Sequence, residues 1–390
     1  MAKKKKIFIL YARFGDGHWQ AATALRQSFE CLGRTEVKLI DLLAESHPVL
    51  NEVSRFVYNK SYNLLPQVYG WVYDATKGMK SDSLFANWLH SFGALTLRKL
   101  MEQERPDAII HTFPTLVLPF IARKSGYTIP MYNVVTDFDL HRRWVHPEVD
   151  KYYVATEDIS VQLSKLGVHS DRIAATGIPI RPTFLNGMNA KSIFARYGLS
   201  PERPIALIMA APNVPCSETA EMCRSLSGKC RAQVIVVCGR NRALYDELSE
   251  IFSFEPSVLT LGFVERIDEL MAVSSCIVTK PGGLTLSEAI AAQLPILLYR
   301  PVPGQELGNA RYLESKGAAV ICRSVEHLSR SVAELLQVPS RRIAMRNALK
   351  FLSKKNASDN IALDIERQLH IMEEASVATA SPSDSVLVPT

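Results

Sequence analysis

Apolar residues along this chain fall into short continuous runs separated by longer stretches of helical composition. Residues 7–11, 37–43, 108–111, 131–136, 152–155 and 173–175 have the length and character of buried parallel strands, and residues 19–32 and 114–124 lie between them as predicted helices. A proline-marked stretch follows, Gly177-Ile178-Pro179-Ile180-Arg181-Pro182, and then a polar one at 186–189 that reads as linker. The alternation then restarts, with strands at 205–210, 234–238, 258–261, 277–280 and 294–299 and helices at 218–226, 242–251 and from 268. Strand and helix alternating twice predicts an α/β protein with two parallel sheets, each covered by helices. We divide the chain into a first domain at 1–185, a second at 186–350, a terminal helix at 351–375 and, from its Ser, Ala and Pro content, a disordered tail at 376–390.

The second half carries the most informative stretch. The strand at 277–280 ends on Pro281-Gly282-Gly283, and Leu284-Thr285-Leu286-Ser287-Glu288-Ala289 then has the composition of a helix. Adjacent glycines allow close backbone approach, and the open amides of a helix start suit an anion such as a diphosphate. Glu288 is placed to accept hydrogen bonds from a ribose. Beyond the next strand, a polar loop offers Gln305, Glu306 and Asn309 to sugar hydroxyls, although a Gly-Gly turn serves equally as a tight connection. Near the N-terminus, Arg13-Phe14-Gly15-Asp16-Gly17-His18 forms a loop leading into a helix. An imidazole there can take the proton of an alcohol, or play a structural part. Asp137 and His141 follow a strand end, where open α/β sheets collect ligand-binding residues.

Composition narrows the partners. The net charge of +6 is compatible with an anionic membrane surface or a phosphorylated substrate. Seven cysteines without paired spacing read as reduced thiols of a cytosolic protein. Lys3 to Lys6 precede an apolar run too short for a signal peptide, and no stretch is long enough to span a bilayer. Between Arg55 and Leu100 many aromatic side chains alternate with Lys and Arg, a mixture suited to the headgroup zone of a membrane; an inward-packed helical pair is the alternative. No nucleic-acid-binding signature accompanies it.

Lys280-Pro281-Gly282-Gly283-Leu284-Thr285-Leu286-Ser287-Glu288-Ala289, followed by Pro303-Gly304-Gln305-Glu306 and Asn309, resembles the donor motif of a family of inverting UDP-sugar glycosyltransferases. That family includes the monogalactosyldiacylglycerol synthases of plants and the processive diacylglycerol glucosyltransferases of Gram-positive bacteria. Gly15-Asp16-Gly17-His18, Thr136-Asp137-Phe138 with His141 and Trp144, Gly239-Arg240-Asn241 and Gly262-Phe263-Val264 are similar to further family segments. The resemblance implies two Rossmann-like domains facing across a cleft (GT-B type), with the terminal helix crossing back onto the first. It implies transfer of a hexose, glucose, from a UDP-hexose to diacylglycerol with inversion, at the cytoplasmic face of the cell membrane, without metal or cofactor. His18 is then the base and Asp137 its companion. Gly17, His141 and Trp144 meet the acceptor; Arg240, Phe263, Val264, Gly282, Gly283, Leu284, Thr285, Glu288, Gln305, Glu306 and Asn309 meet the donor.

One departure stands out: Ala211-Pro212-Asn213-Val214-Pro215-Cys216-Ser217 replaces a glycine-rich loop of the family. It motivates a nucleotide-sugar sensor without turnover as an alternative. Within the enzyme class, the alternative is N-acetylglucosamine transfer to a polyprenyl-linked acceptor.

Overall fold

The computed structural model describes residues 4–13, 16–46, 70, 93–114, 117–125, 129–185 and 187–380. Most of the aromatic and basic stretch between residues 55 and 100 therefore lies outside the described residues.

In the first half, β1 (Lys5–Tyr11), β2 (Thr35–Asp41), β3 (Ala108–His111), β4 (Met131–Val134), β5 (Lys151–Tyr153) and β6 (Ile173–Ala174) form a parallel sheet ordered β2-β1-β3-β4-β5-β6. Its helices are α1 (Asp16–Leu32), α2 (Leu42–Ser46), α3 (Ala94–Glu104), α4 (Val117–Ser125) and α5 (Glu157–Lys165). After α6 (Ala190–Tyr197), the second half builds β7 (Ile205–Met209), β8 (Gln233–Val237), β9 (Val258–Leu261), β10 (Cys276–Thr279), β11 (Ile296–Tyr299) and β12 (Ala319–Cys322). These also pair in parallel, ordered β12-β11-β10-β7-β8-β9. Interleaved are α7 (Cys216–Lys229), α8 (Arg242–Ile251), α9 (Ile267–Val273), α10 (Gly283–Ala291), α11 (Gln305–Ser315) and α12 (Val325–Gln337), then α13 (Pro339–Leu352) and α14 (Ala357–Ala380). Every residue of β3, β4, β8, β10 and β11 is buried, as strands covered on both faces require.

Local chemistry sets several boundaries. The side chains of Thr156, Asn189, Asn241 and Ser324 accept hydrogen bonds from backbone amides in the first turns of α5, α6, α8 and α12. Asn189 thus starts a helix at the end of the stretch expected to be linker. The sequence reading also passed over β12, a four-residue edge strand.

α14 returns to the first sheet. Its Ile361, Ala362, Ile365 and Leu369 share a core with Ile7, Leu25, Phe29 and Tyr153. Asp359 accepts from Ser28 Oγ (2.6 Å), and Asp364 from Lys151 Nζ (2.7 Å) and the Tyr153 hydroxyl (2.8 Å). Burial works against the charge on Asp364, but the bonds from Lys151, Tyr153 and Arg367 outweigh it and hold the carboxyl below its ordinary range. The helix continues to Ala380, past Ser376, where composition led us to expect a disordered tail. No described helix is long and apolar enough to cross a membrane.

Candidate active site between the two sheets

In an open parallel sheet, ligands bind beyond the carboxyl ends of the strands, where the strand order reverses. The first sheet reverses between β1 and β3, the second between β7 and β10. The chain leaving those strands carries His18 and Thr112 on one side and Pro281-Gly282-Gly283 on the other. They meet: α1 packs against α10, and a β carbon at Gly17 would lie 3.8 Å from Leu284 Cβ.

His18 stands in the first turn of α1, which begins at Asp16, so Gly17 and His18 are helical instead of forming the expected loop. Its Nδ1 lies 2.6 Å from the Thr112 carbonyl oxygen and 3.1 Å from Thr136 Oγ1. A carbonyl only accepts, so Nδ1 carries the hydrogen and Nε2 keeps its lone pair. Burial pulls the pKa down to about 4, against the Thr112 bond, which raises it. The ring is therefore a neutral acceptor at physiological pH, with Phe113 packed edge-on at 5.1 Å between centroids.

Opposite it, Gly282 precedes α10, and no side chain caps the helix. The Gly282 amide is turned onto the Lys280 carbonyl (2.9 Å), so the open donors are those of Gly283, Leu284 and Thr285, and Gly282 drops from the expected set. Gly283 permits the approach of the two halves: a β carbon there would overlap the Thr136 carbonyl oxygen and sit 3.3 Å from Asp137 Oδ1. Glu288 lies farther along the helix, its side chain 6% exposed, with Arg181 3.6 Å away. Burial pushes its pKa up to about 7, and the Arg181 charge opposes this.

Asp137 bonds side chains of the other half and is an anchor between the halves. Its Oδ1 accepts from Gln305 Nε2 and from Asn309 Nδ2 (3.2 Å), and burial pushes its pKa up to about 6. Asn309, wholly buried, also donates to the Pro281 carbonyl (3.1 Å) and accepts from the Phe138 amide (2.8 Å). Gln305 and Asn309 thus bond protein groups, and both belong to α11, where a polar loop was expected. Glu306 faces Lys280 at 3.2 Å. Phe138 stacks on Tyr312 of α11, the centroids 5.9 Å apart.

The remaining expected residues divide. Arg240 lies over the ring of Phe263 at 5.1 Å, where the loops after β8 and β9 meet, with Val264 half-buried beside them. Trp144 does not fit an acceptor role: it is 1% exposed and fills the core of the first half. His141 is also buried, and its Nδ1 accepts from the Arg143 amide (3.1 Å), capping a short 3-10 turn. In place of the glycine-rich loop, 211–215 make a compact turn into α7, with Ala211 and Val214 buried.

The sequence model for monogalactosyldiacylglycerol (MGDG) synthase matches residues 18–180, and that for the glycosyltransferase family 28 C-terminal domain matches residues 212–361. Processive diacylglycerol beta-glucosyltransferases of Bacillus cereus (strain AH187) and Bacillus thuringiensis (strain Al Hakam) are each 40% identical over 372 residues, 95% of this chain and 96% of theirs. The chain belongs to the processive diacylglycerol glucosyltransferase family. Among solved structures, S. aureus MnaA with UDP superimposes with a TM-score of 0.62 at 15% identity, covering 98% of this chain and 100% of that one. UDP-GlcNAc 2-epimerase from Neisseria meningitidis bound to UDP-GlcNAc gives 0.61 at 14%, covering 93% and 100%. At such identities these two show the fold alone, the GT-B arrangement.

Relative to the family motifs, the sequence reading missed two contributors. Arg181 leaves the connection after β6 and reaches across to Glu288 and to the Glu265 carbonyl (2.7 Å). Thr112 orients His18 through a backbone oxygen, which no residue pattern could disclose. For Arg181 a signal existed: it stands in the proline-marked connection, where stiff backbone carries one long cation.

Proposed function

We infer that this protein transfers glucose from UDP-glucose to diacylglycerol with inversion, at a membrane surface, forming a membrane glycolipid. The observation that carries the reading is that the first turn of α1, which holds His18 with its Nδ1 on the Thr112 carbonyl and its Nε2 unprotonated, packs against the first turn of α10, whose amides are open. A base for an alcohol and a site for a leaving diphosphate then share one crevice. The acceptor hydroxyl gives its proton to Nε2 as its oxygen forms the bond to the anomeric carbon. The bond from that carbon to the diphosphate oxygen breaks on the opposite face, and UDP leaves with the electron pair. Amides of Gly283, Leu284 and Thr285 stabilise the charge that grows on the diphosphate, an interaction stronger in the transition state than in the ground state. Glu288, held by Arg181, receives the ribose hydroxyls, and the loop of Phe263 and Val264 receives the base. Gln305 and Glu306, in the first turn of α11, face the hexose, with the buried Asn309 one turn behind them; as the sugar enters, Gln305 exchanges its bond to Asp137 for one to the sugar. No metal takes part in this reading, because helix amides and nearby cations meet the diphosphate. The names of the relatives support a glucosyl group as the one transferred and diacylglycerol as its acceptor.

The test is incubation with UDP-glucose and diacylglycerol in nonionic mixed micelles, following UDP release and glycolipid by chromatography. Equal amounts of UDP and glucosylated lipid are expected. Binding of UDP-glucose with no lipid product would sink the reading and favour the sensor.

A further inference from the structure

We propose that the outer face of α13 and the turn after it dock on an anionic phospholipid surface and hold the donor half of the enzyme against the membrane. This rests on the reading above only in taking a bilayer lipid as acceptor. Residues 339–356 contain Arg341, Arg342, Arg346, Lys350, Lys354 and Lys355 and no Asp or Glu. The chain has 45 Lys and Arg against 39 Asp and Glu, so removing these six leaves 39 against 39. The whole positive excess matches this one stretch.

Three observations turn the charge into a surface. First, Met345, Leu349 and Leu352 are buried, while Arg341, Arg346, Lys350 and Lys355 are exposed, so the helix shows its cations outward. Among the described residues only Lys354 of the six has an ion pair, with Glu157. Second, Ile343 (56% exposed) and Phe351 (85% exposed) stand on the same outer face, two turns apart. Exposed apolar side chains among unpaired cations fit an interfacial helix, whose rings enter the headgroup zone while the cations meet lipid phosphates. Third, the placement does not serve the helix itself. Cations favour a helix C-terminus, yet Arg341 and Arg342 occupy the first turn, where the dipole opposes them.

The face is coupled to the site. α13 packs on α10, whose first turn faces His18, and a β carbon at Gly177 would lie 2.5 Å from Lys354 Cβ. Docking α13 therefore orients the donor helix and the connection between the sheets together.

The experiment compares binding of the full-length protein to vesicles of phosphatidylcholine alone and of phosphatidylcholine with phosphatidylglycerol, by flotation over a salt series. One variant carries Arg341→Gln, Arg346→Gln, Lys350→Gln and Lys355→Gln; a second carries Ile343→Ser and Phe351→Ser. The wild type is expected to bind anionic vesicles and release them as salt rises. Each cation lost lowers partition roughly five-fold, so the first variant, which loses four, binds on the order of 600-fold more weakly. The second is expected to bind more weakly at every salt concentration. Both keep wild-type transfer in nonionic micelles, which reads the enzymatic assignment separately and reports that the variants are folded. Equal vesicle binding by the wild type and the charge variant, equal affinity for neutral vesicles, or capture by single-stranded RNA in preference to vesicles would each overturn the proposal.

Discussion

The two glycines before α10 have different physical duties, and substituting them one at a time separates structure from binding. At Gly283 a β carbon would overlap the Thr136 carbonyl oxygen and approach Thr136 C at 3.0 Å and Asp137 Oδ1 at 3.3 Å. The obstacle is backbone of the other half, which no rotamer change relieves. Gly283→Ala therefore forces α10 away from the 136–137 segment, at about 1–3 kcal/mol of overpacking. The shift reaches the base, because Thr136 Oγ1 lies 3.1 Å from His18 Nδ1. A displacement of about 1 Å there lowers kcat by about 100-fold. At Gly282 nothing lies within 4 Å of an added β carbon and φ is −74, so Gly282→Ala changes stability by no more than about 0.5 kcal/mol. Chemical denaturation gives the stability of each variant, calorimetry its affinity for UDP, and the micelle assay its kcat. If Gly283→Ala is as stable and as fast as wild type, the close interface between the halves is wrong. If Gly282→Ala weakens UDP binding at unchanged stability, the nucleotide packs on that α carbon.

His18→Ala is expected to lower kcat by about 100- to 10,000-fold while the Kd for UDP stays within two-fold or so; lost UDP affinity would instead make His18 a donor-binding residue. For pH dependence, burial lowers the pKa of His18 to about 4 and raises that of Glu288 to about 7. The base therefore stays neutral as Glu288 gains a proton, so KM for UDP-glucose rises as pH falls through about 7 with kcat steady; in Glu288→Gln that dependence disappears. In stability the two act oppositely: unfolded His18 takes up its proton first, so its contribution fades as pH falls from 6.5 towards 4, whereas the contribution of Glu288 fades as pH rises from 4.5 towards 7. Asp364→Ala strips the acceptor from Lys151 and Tyr153 and costs about 1–3 kcal/mol, read by denaturation; protease cleavage within α14 should also quicken.

Much of the fold was legible because parallel strands covered on both faces must be continuous apolar runs. Residues 108–111, 242–251 and 258–261 were read with the boundaries they have in the structure. The family motifs likewise brought His18, Gly283 and Glu288 forward, since the proposed base, a close-approach glycine and a buried carboxylate each call for a narrow choice of residue type. The short edge strand β12 and α6, with its Asn189 cap, were passed over because a few residues carry too little periodicity. Trp144 was expected to meet the acceptor because a matching motif cannot tell an inward ring from an outward one.

What the sequence by itself determined, then, is local: most of the buried strands, several of the helices between them, and which side chains have the chemistry for proton transfer and diphosphate binding. The tertiary structure alone decided which of them meet. The tautomer of His18 depends on a carbonyl 94 positions away, and Asp137 is bonded by side chains 168 and 172 positions away, on a helix of the other half. Such pairings leave no periodic trace, because hydrogen bonds across a crevice depend on how two sheets are set against each other and not on spacing within either.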